Sequence, residues 1–276
     1  MPGQSAPLNP SWTARLSTPG SPVCSAEWLA LRERADDAAR STALVASLRR
    51  HLPRAPLLVH DLGCGTGSQG RWLAPRLPQQ QHWVLHDRDP ELLAVAVASM
   101  PAGVTVEARE GDVADLDPRW GRALVTASAL LDMLTPAAVE RIAATGCPTL
   151  LTLSVTGRVA FTPSEPLDAA VASAFNAHQR RAGMLGPDAV AVAAAAFRRR
   201  GAAVVTASSP WRLGSAEADL VEEWLRGWLA AAVEHDPGLR DSAPAYLARR
   251  LAALTRGELR VVVGHTDLLA LPGGGS

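Results

Sequence analysis

Lysine is missing from the 276-residue chain, and all 27 of its basic side chains are arginines. A Schiff-base lysine and a phosphate-loop lysine are therefore excluded, and with them two broad enzyme classes. Cysteine is scarce. Cys24, Cys64 and Cys147 are odd in number, widely spaced and in no Cys-x-x-Cys arrangement, which suggests neither a disulfide framework nor a zinc site, and no metal is expected. Net charge is lacking too: 27 acidic residues balance the arginines, so nothing favours nucleic acid or an anionic membrane surface as a partner. No apolar run approaches the ~18 residues that a spanning helix needs. The start has no basic segment followed by an apolar one, and a reducing cytoplasm is the expected compartment.

With 47% apolar residues, the chain can bury one sizeable core. Residues 1–22, rich in Pro, Ser and Gly, are expected to form a mobile arm, and 271–276 a flexible tail. Between them, 23–270 is expected to be a single domain. Ser25 caps a predicted helix over 25–52, with Leu44, Val45, Leu48 and Leu52 at helical spacing. From Pro56 short apolar runs alternate with helical stretches. Strands are predicted at Leu57–Asp61, Trp83–Asp87, Val104–Ala108, Leu124–Ser128 and Leu150–Ser154, with helices at 67–77, 90–100, 136–145 and 187–200. That alternation is the mark of a doubly wound α/β fold with a mostly parallel sheet. The segment 156–186 follows, then a strand at Val204–Ala207, a helical region over 217–256 and a last strand at Leu259–His265.

The run Asp61-Leu62-Gly63-Cys64-Gly65-Thr66-Gly67 carries a strand straight into a glycine-rich turn that opens a helix. Such glycines bend the backbone and let a ligand approach main-chain atoms, so a cofactor should sit here. Asp87 ends the second strand, where a carboxylate can accept from both hydroxyls of a ribose. Glu110-Gly111-Asp112-Val113 follows the third strand, and Ser128-Ala129-Leu130-Leu131-Asp132-Met133 the fourth.

In these four elements and their order, the chain resembles the class I S-adenosylmethionine-dependent methyltransferases. The resemblance implies a seven-stranded sheet with an antiparallel last strand, and S-adenosylmethionine as cofactor with S-adenosylhomocysteine as product. It puts Asp61 and Gly63 at the methionine end of the cofactor, with Cys64, Gly65 and Gly67 completing the turn. It puts Asp87 on the ribose, Asp112 on the adenine amino group, and Arg88 and Val113 beside the ring. Ser128 and Asp132 fall in the stretch that lines the sulfonium, and many relatives carry a histidine pair where this chain has Leu131-Asp132. Helices at the N-terminus of this family close over the cofactor, which makes Arg32 a candidate clamp on its carboxylate.

The acceptor site is expected in 156–186 and 209–257. His178 is a candidate general base, since an imidazole titrates near neutral pH, and Arg181 on the same helical face could bind an acidic group. Either could equally belong to a solvated helix face. Trp211 and Trp224, with Trp228, could wall an apolar acceptor pocket or be ordinary core. His265 reads as a strand-end residue near the sheet edge. The predicted reaction is direct in-line methyl transfer to a small molecule, with no nucleic-acid or membrane partner, by a monomer or homodimer. Two alternatives stay open. Gly65-x-Gly67-x-x-Gly70 with Asp87 also suits an NAD(P)-dependent oxidoreductase, and a non-catalytic S-adenosyl-binding protein would keep the same motifs.

Overall fold

A computed structural model describes residues 24–113 and 120–273. The expected arm, 1–22, lies outside the described residues. Of the expected tail only 271–273 are described, and Leu271 still belongs to a strand.

Among the described residues, eight strands form one sheet. They are β1 (Leu57–Leu62), β2 (Gln81–Asp87), β3 (Thr105–Glu110), β4 (Ala123–Ser128), β5 (Thr149–Thr162), β6 (Ala203–Ser208), β7 (Trp211–Leu213) and β8 (Arg260–Leu271). The order is β3-β2-β1-β4-β5-β8-β6, with β7 pairing only with β8. The first five run parallel, and β8 is antiparallel to β5, β6 and β7. The order reverses beside β1, so the carboxyl ends of β1 and β4 diverge into a crevice, where sheets of this type hold ligands. The central strands are apolar because both of their faces are covered.

Nine helices are described: α1 (Ala26–Ala39), α2 (Thr42–Arg49), α3 (Ser68–Leu73), α4 (Pro90–Ser99), α5 (Pro136–Ala144), α6 (Asp168–Gln179), α7 (Ala189–Arg199), α8 (Ala218–His235) and α9 (Ala243–Thr255). On one face of the sheet, Leu48 of α2 and Trp72 of α3 pack on Val59 and Trp83; on the other, Ile142 and Phe197 cover Val125 and Leu151. Each such aliphatic side chain contributes roughly 1.5–3 kcal/mol by leaving water. A third apolar cluster joins α1, α6, α8 and α9 to β7 and the outer parts of β5 and β8. It forms a helical cap beside the carboxyl ends of the strands.

Three departures from the sequence prediction matter for the site. The helix expected over 25–52 is two helices, because Arg40 and Ser41 are extended. Ser41 caps α2 through its hydroxyl, and its own N–H donates to Asp267 of β8 at 2.7 Å. The region 217–256 likewise splits into α8 and α9 around Asp236, whose side chain accepts from the Gly238 N–H. Finally, β5 and β8 run far beyond their predicted ends, and the pairing between them shifts register twice, at Leu151–Ser154 and Val155–Val159. Leu153 there has φ +57° and Gly157 φ +69°. Bulges of this kind re-aim side chains next to functional sites.

Candidate active site

The turn after β1 needs its glycines for conformation and for space. Gly63 and Gly65 have φ +58° and +54°, and a Cβ on either would come within 2.9 Å of Leu130 or 3.0 Å of Leu29. The Gly65 N–H donates to Asp87 Oδ2 at 2.8 Å, which ties the end of β1 to the end of β2. Gly67 differs from both, since it precedes α3, where a Cβ would meet Ala96 of α4 at 3.2 Å. It therefore serves helix packing and does not line the cavity above the turn.

That cavity, of about 200 Å³, runs along the carboxyl ends of β1, β2 and β4. Asp61, Gly63, Cys64 and Gly65 form its floor, and Asp87 and Arg88 one side. Asp112 and Val113 flank it, while Ser128 and Arg32 close the other end. Of the cofactor-binding residues expected from the sequence, Gly67 alone is absent from these walls.

Asp61 is fully buried, and neither of its carboxylate oxygens has a hydrogen-bond partner among the described residues. Removal from water pushes its pKa up to about 8, against the opposing pull of the Arg40 guanidinium. Arg40, buried in the break between α1 and α2, donates to Ser68 Oγ at 2.9 Å and Ser128 Oγ at 3.1 Å. It thereby pins the start of α3 to the end of β4, a role with no local sequence signal. Burial pushes the Cys64 thiol far up, which removes it as a nucleophile.

A second cavity, of about 110 Å³, lies under the helical cap. Cys24, Arg32, Ala129 and Met133 line both cavities, so the two share a wall. Trp211 and Trp224 line the second, together with Trp28, Trp228 and Phe175. The bulged residues Leu153, Val155 and Gly157 complete its floor. Asp132 lines it next to the shared wall, and desolvation pushes its carboxyl up to about 6.

His178 and Arg181 are not in either cavity. His178 is buried on α6, with Nδ1 2.5 Å from an Arg181 Nη and Nε2 3.3 Å from Glu234 of α8. His178 ends its helix against α8 and Arg181 lies in the turn beyond it, so neither stands where the expected base and acid-binding arginine would meet a ligand in these cavities. His265 is corrected in the opposite direction. Strand β8 continues six residues beyond it and sits between β5 and β6, which places His265 in the interior, against Trp211 (centroids 5.0 Å apart) and in the wall of the second cavity. Burial and the nearby Arg32 lower its pKa to about 3, so the imidazole is neutral.

A model of a methyltransferase domain matches residues 59–147, the stretch that carries all four motifs. Over that stretch the chain carries a methyltransferase domain. A Bacillus halodurans protein assigned as a methyltransferase shares the fold at a TM-score of 0.51 and 15% identity, covering 83% of this chain and 98% of its own. A Geobacter sulfurreducens S-adenosylmethionine-dependent methyltransferase, solved with S-adenosylhomocysteine, is 17% identical over 94% of this chain and 100% of its own, at a TM-score of 0.46. No curated protein matches the sequence.

Proposed function

We propose that this methyltransferase binds S-adenosylmethionine in the first cavity and passes its methyl group in line to a small molecule held in the second. The observation that carries the reading is the Asp61 carboxyl, buried at the end of β1 with both oxygens unpartnered among the described residues and facing a ligand-sized cavity. A buried carboxyl without a partner is costly, and the ammonium of a methionine moiety supplies the partner it lacks.

The remaining walls fit the rest of the cofactor. Asp87, held by the N–H groups of Gly65 (2.8 Å) and Asp89 (3.1 Å), keeps lone pairs for ribose hydroxyls. Val113 and Arg88 suit the two sides of an adenine, and Asp112 its amino group. When bound, the cofactor supplies a methyl carbon on a sulfonium that leaves as a neutral thioether. The residues around the shared wall then do three things. Ala129, Met133 and Arg32 stand between the two cavities, and Trp28 and Trp211 make the acceptor side apolar. Asp132, with a carboxyl that titrates near 6, takes the proton of the acceptor's hydroxyl or amine.

Calorimetry of the chain with S-adenosylmethionine, S-adenosylhomocysteine and NADH, alongside Asp87→Ala, tests this reading. Saturable binding of both S-adenosyl compounds, weakened by the variant and absent for NADH, is the expected result. Tight binding of NADH alone would overturn it in favour of an oxidoreductase.

A further inference from the structure

Resting on that reading, we propose that the second cavity selects an uncharged, single-ring aromatic acceptor bearing a hydroxyl, a phenol. Its walls are flat and aromatic. Trp224 and Trp228 stack on each other at 5.3 Å between centroids and 18° between planes, and the Phe175 ring lies 6.4 Å from that of Trp228. A planar ring offers such walls the offset and edge-on contacts they prefer, which an aliphatic ring cannot. The size is that of one ring: an apolar cavity of about 150 Å³ takes benzene, and this one holds about 110 Å³ and opens toward the first.

Charge of either sign meets a like charge in this wall, a cation the Arg32 guanidinium and an anion the Asp132 carboxylate. A cationic acceptor would seek the tryptophan faces, but the Arg32 guanidinium already lies 4.9 Å from the Trp211 centroid and 5.9 Å from that of Trp28. An anionic acceptor would seek Arg32, but Asp36 already holds it through two hydrogen bonds, at 2.9 and 3.2 Å. Arg158, the other cation in the wall, is exposed to solvent.

Two residues of this apolar wall each carry a polar atom that a hydroxyl could satisfy. Trp228 and His265 are buried, and neither Trp228 Nε1 nor His265 Nδ1 has a hydrogen-bond partner among the described residues. The indole N–H can only donate, while a neutral imidazole nitrogen can accept. A hydroxyl answers either, its oxygen accepting from the indole N–H or its O–H donating to the imidazole nitrogen, whereas an ammonium cannot accept and an ether cannot donate. His265 and Asp132 line this cavity together with Arg32, which also lines the first.

The test is calorimetric titration of the full chain with phenol, cyclohexanol, benzylamine and benzoate, with and without saturating S-adenosylhomocysteine. Phenol is expected to bind about tenfold more tightly than each of the other three, a difference of about 1.4 kcal/mol. Trp228→Phe and His265→Phe are each expected to weaken phenol roughly five- to tenfold while leaving S-adenosylhomocysteine binding unchanged. Equal binding of cyclohexanol, tighter binding of benzylamine or benzoate, or no binding of phenol by a chain that binds S-adenosylhomocysteine would overturn the proposal. Failure of S-adenosylhomocysteine to bind would instead sink the cofactor assignment, and the phenol series run without it still decides the acceptor class. If a variant does not fold, the four-ligand comparison on the unaltered chain stands alone.

Discussion

Arg32 lies 4.9 Å from the ring centroid of Trp211, and Trp211 donates its indole N–H at 2.9 Å to Asp36, the carboxylate that holds Arg32. The three side chains form a closed triangle across α1 and β7, at the wall shared by the two cavities. Its members fix one another, so Arg32 is pre-organised rather than left to wander in solvent. Arg32→Ala is expected to raise KM for the cofactor by roughly ten- to a hundredfold, the worth of a charge-assisted hydrogen bond of about 1.5–3 kcal/mol, and KM for the acceptor by less, through the loosened Trp211 wall. Initial-rate kinetics with each substrate varied in turn would check it; a change in kcat alone would contradict it.

Asp61 makes cofactor binding proton-linked. Burial lifts its carboxyl from 3.8 to about 8, so the ligand-free chain holds this proton at pH 7, and pairing with the ligand's ammonium drives it off. Binding of S-adenosylhomocysteine at pH 7, measured in buffers of different ionisation enthalpy, should therefore release protons, and the release should fade above pH 8. Asp61→Asn should abolish it. The same raised pKa contributes stability that is fully present below about 3.8 and is lost as pH rises through about 8. Asp61→Asn should accordingly make the ligand-free chain more resistant to urea at pH 9 relative to the parent, and less so at pH 5.

Asp132 sets the acid limb of the rate profile. Its carboxyl must be ionised to accept a proton, so kcat should rise with pH through about 6 and level off above it. Asp132→Asn should lower kcat by about 10²–10⁴-fold, remove that limb and leave S-adenosylhomocysteine affinity within a few-fold of the parent. A limb that survives in the variant would assign the titration to another group.

His178 should prove structural. Its ring sits between Arg181 and Glu234 in the α6–α8 interface, away from both cavities. His178→Ala should cost about 1–3 kcal/mol in urea unfolding, for burial and hydrogen bonding lost, and change kcat less than a few-fold.

How much of this is legible in the sequence follows from how local each signal is. Asp61, Gly63, Gly65, Asp87 and Asp112 are held by the strand-to-turn geometry of their own segments, so spacing alone points to them. His178 and Arg181 show the limit: helical spacing places them on one face, but only the packing of α6 on α8 decides what that face meets. His265 reads as an edge residue because the apolar strand pattern breaks there, whereas the hydrogen bonds that extend β8 to Leu271 come from β5 and β6. Arg40 and Asp267 carry no signal, because their partners are brought together only by the complete fold. Asp267 accepts from the Ser41 N–H, the Leu153 N–H and the Ser209 hydroxyl, joining the helix break, the β5 bulge and the approach to β7.

Asp267→Ala leaves those three donors without their acceptor in the interior. A loss of about 2–5 kcal/mol in denaturant unfolding is expected, together with weaker acceptor binding as the bulge under the second cavity relaxes. An unchanged midpoint would contradict the role assigned to this carboxylate.

The most direct test is a crystal structure of the chain with S-adenosylhomocysteine. The ligand should lie over Gly63 and Gly65 with its amino group hydrogen-bonded to Asp61, its ribose hydroxyls on Asp87 and its sulfur facing the wall of Ala129 and Met133. An adenine over Asp61, or a ligand bound elsewhere, would contradict the account.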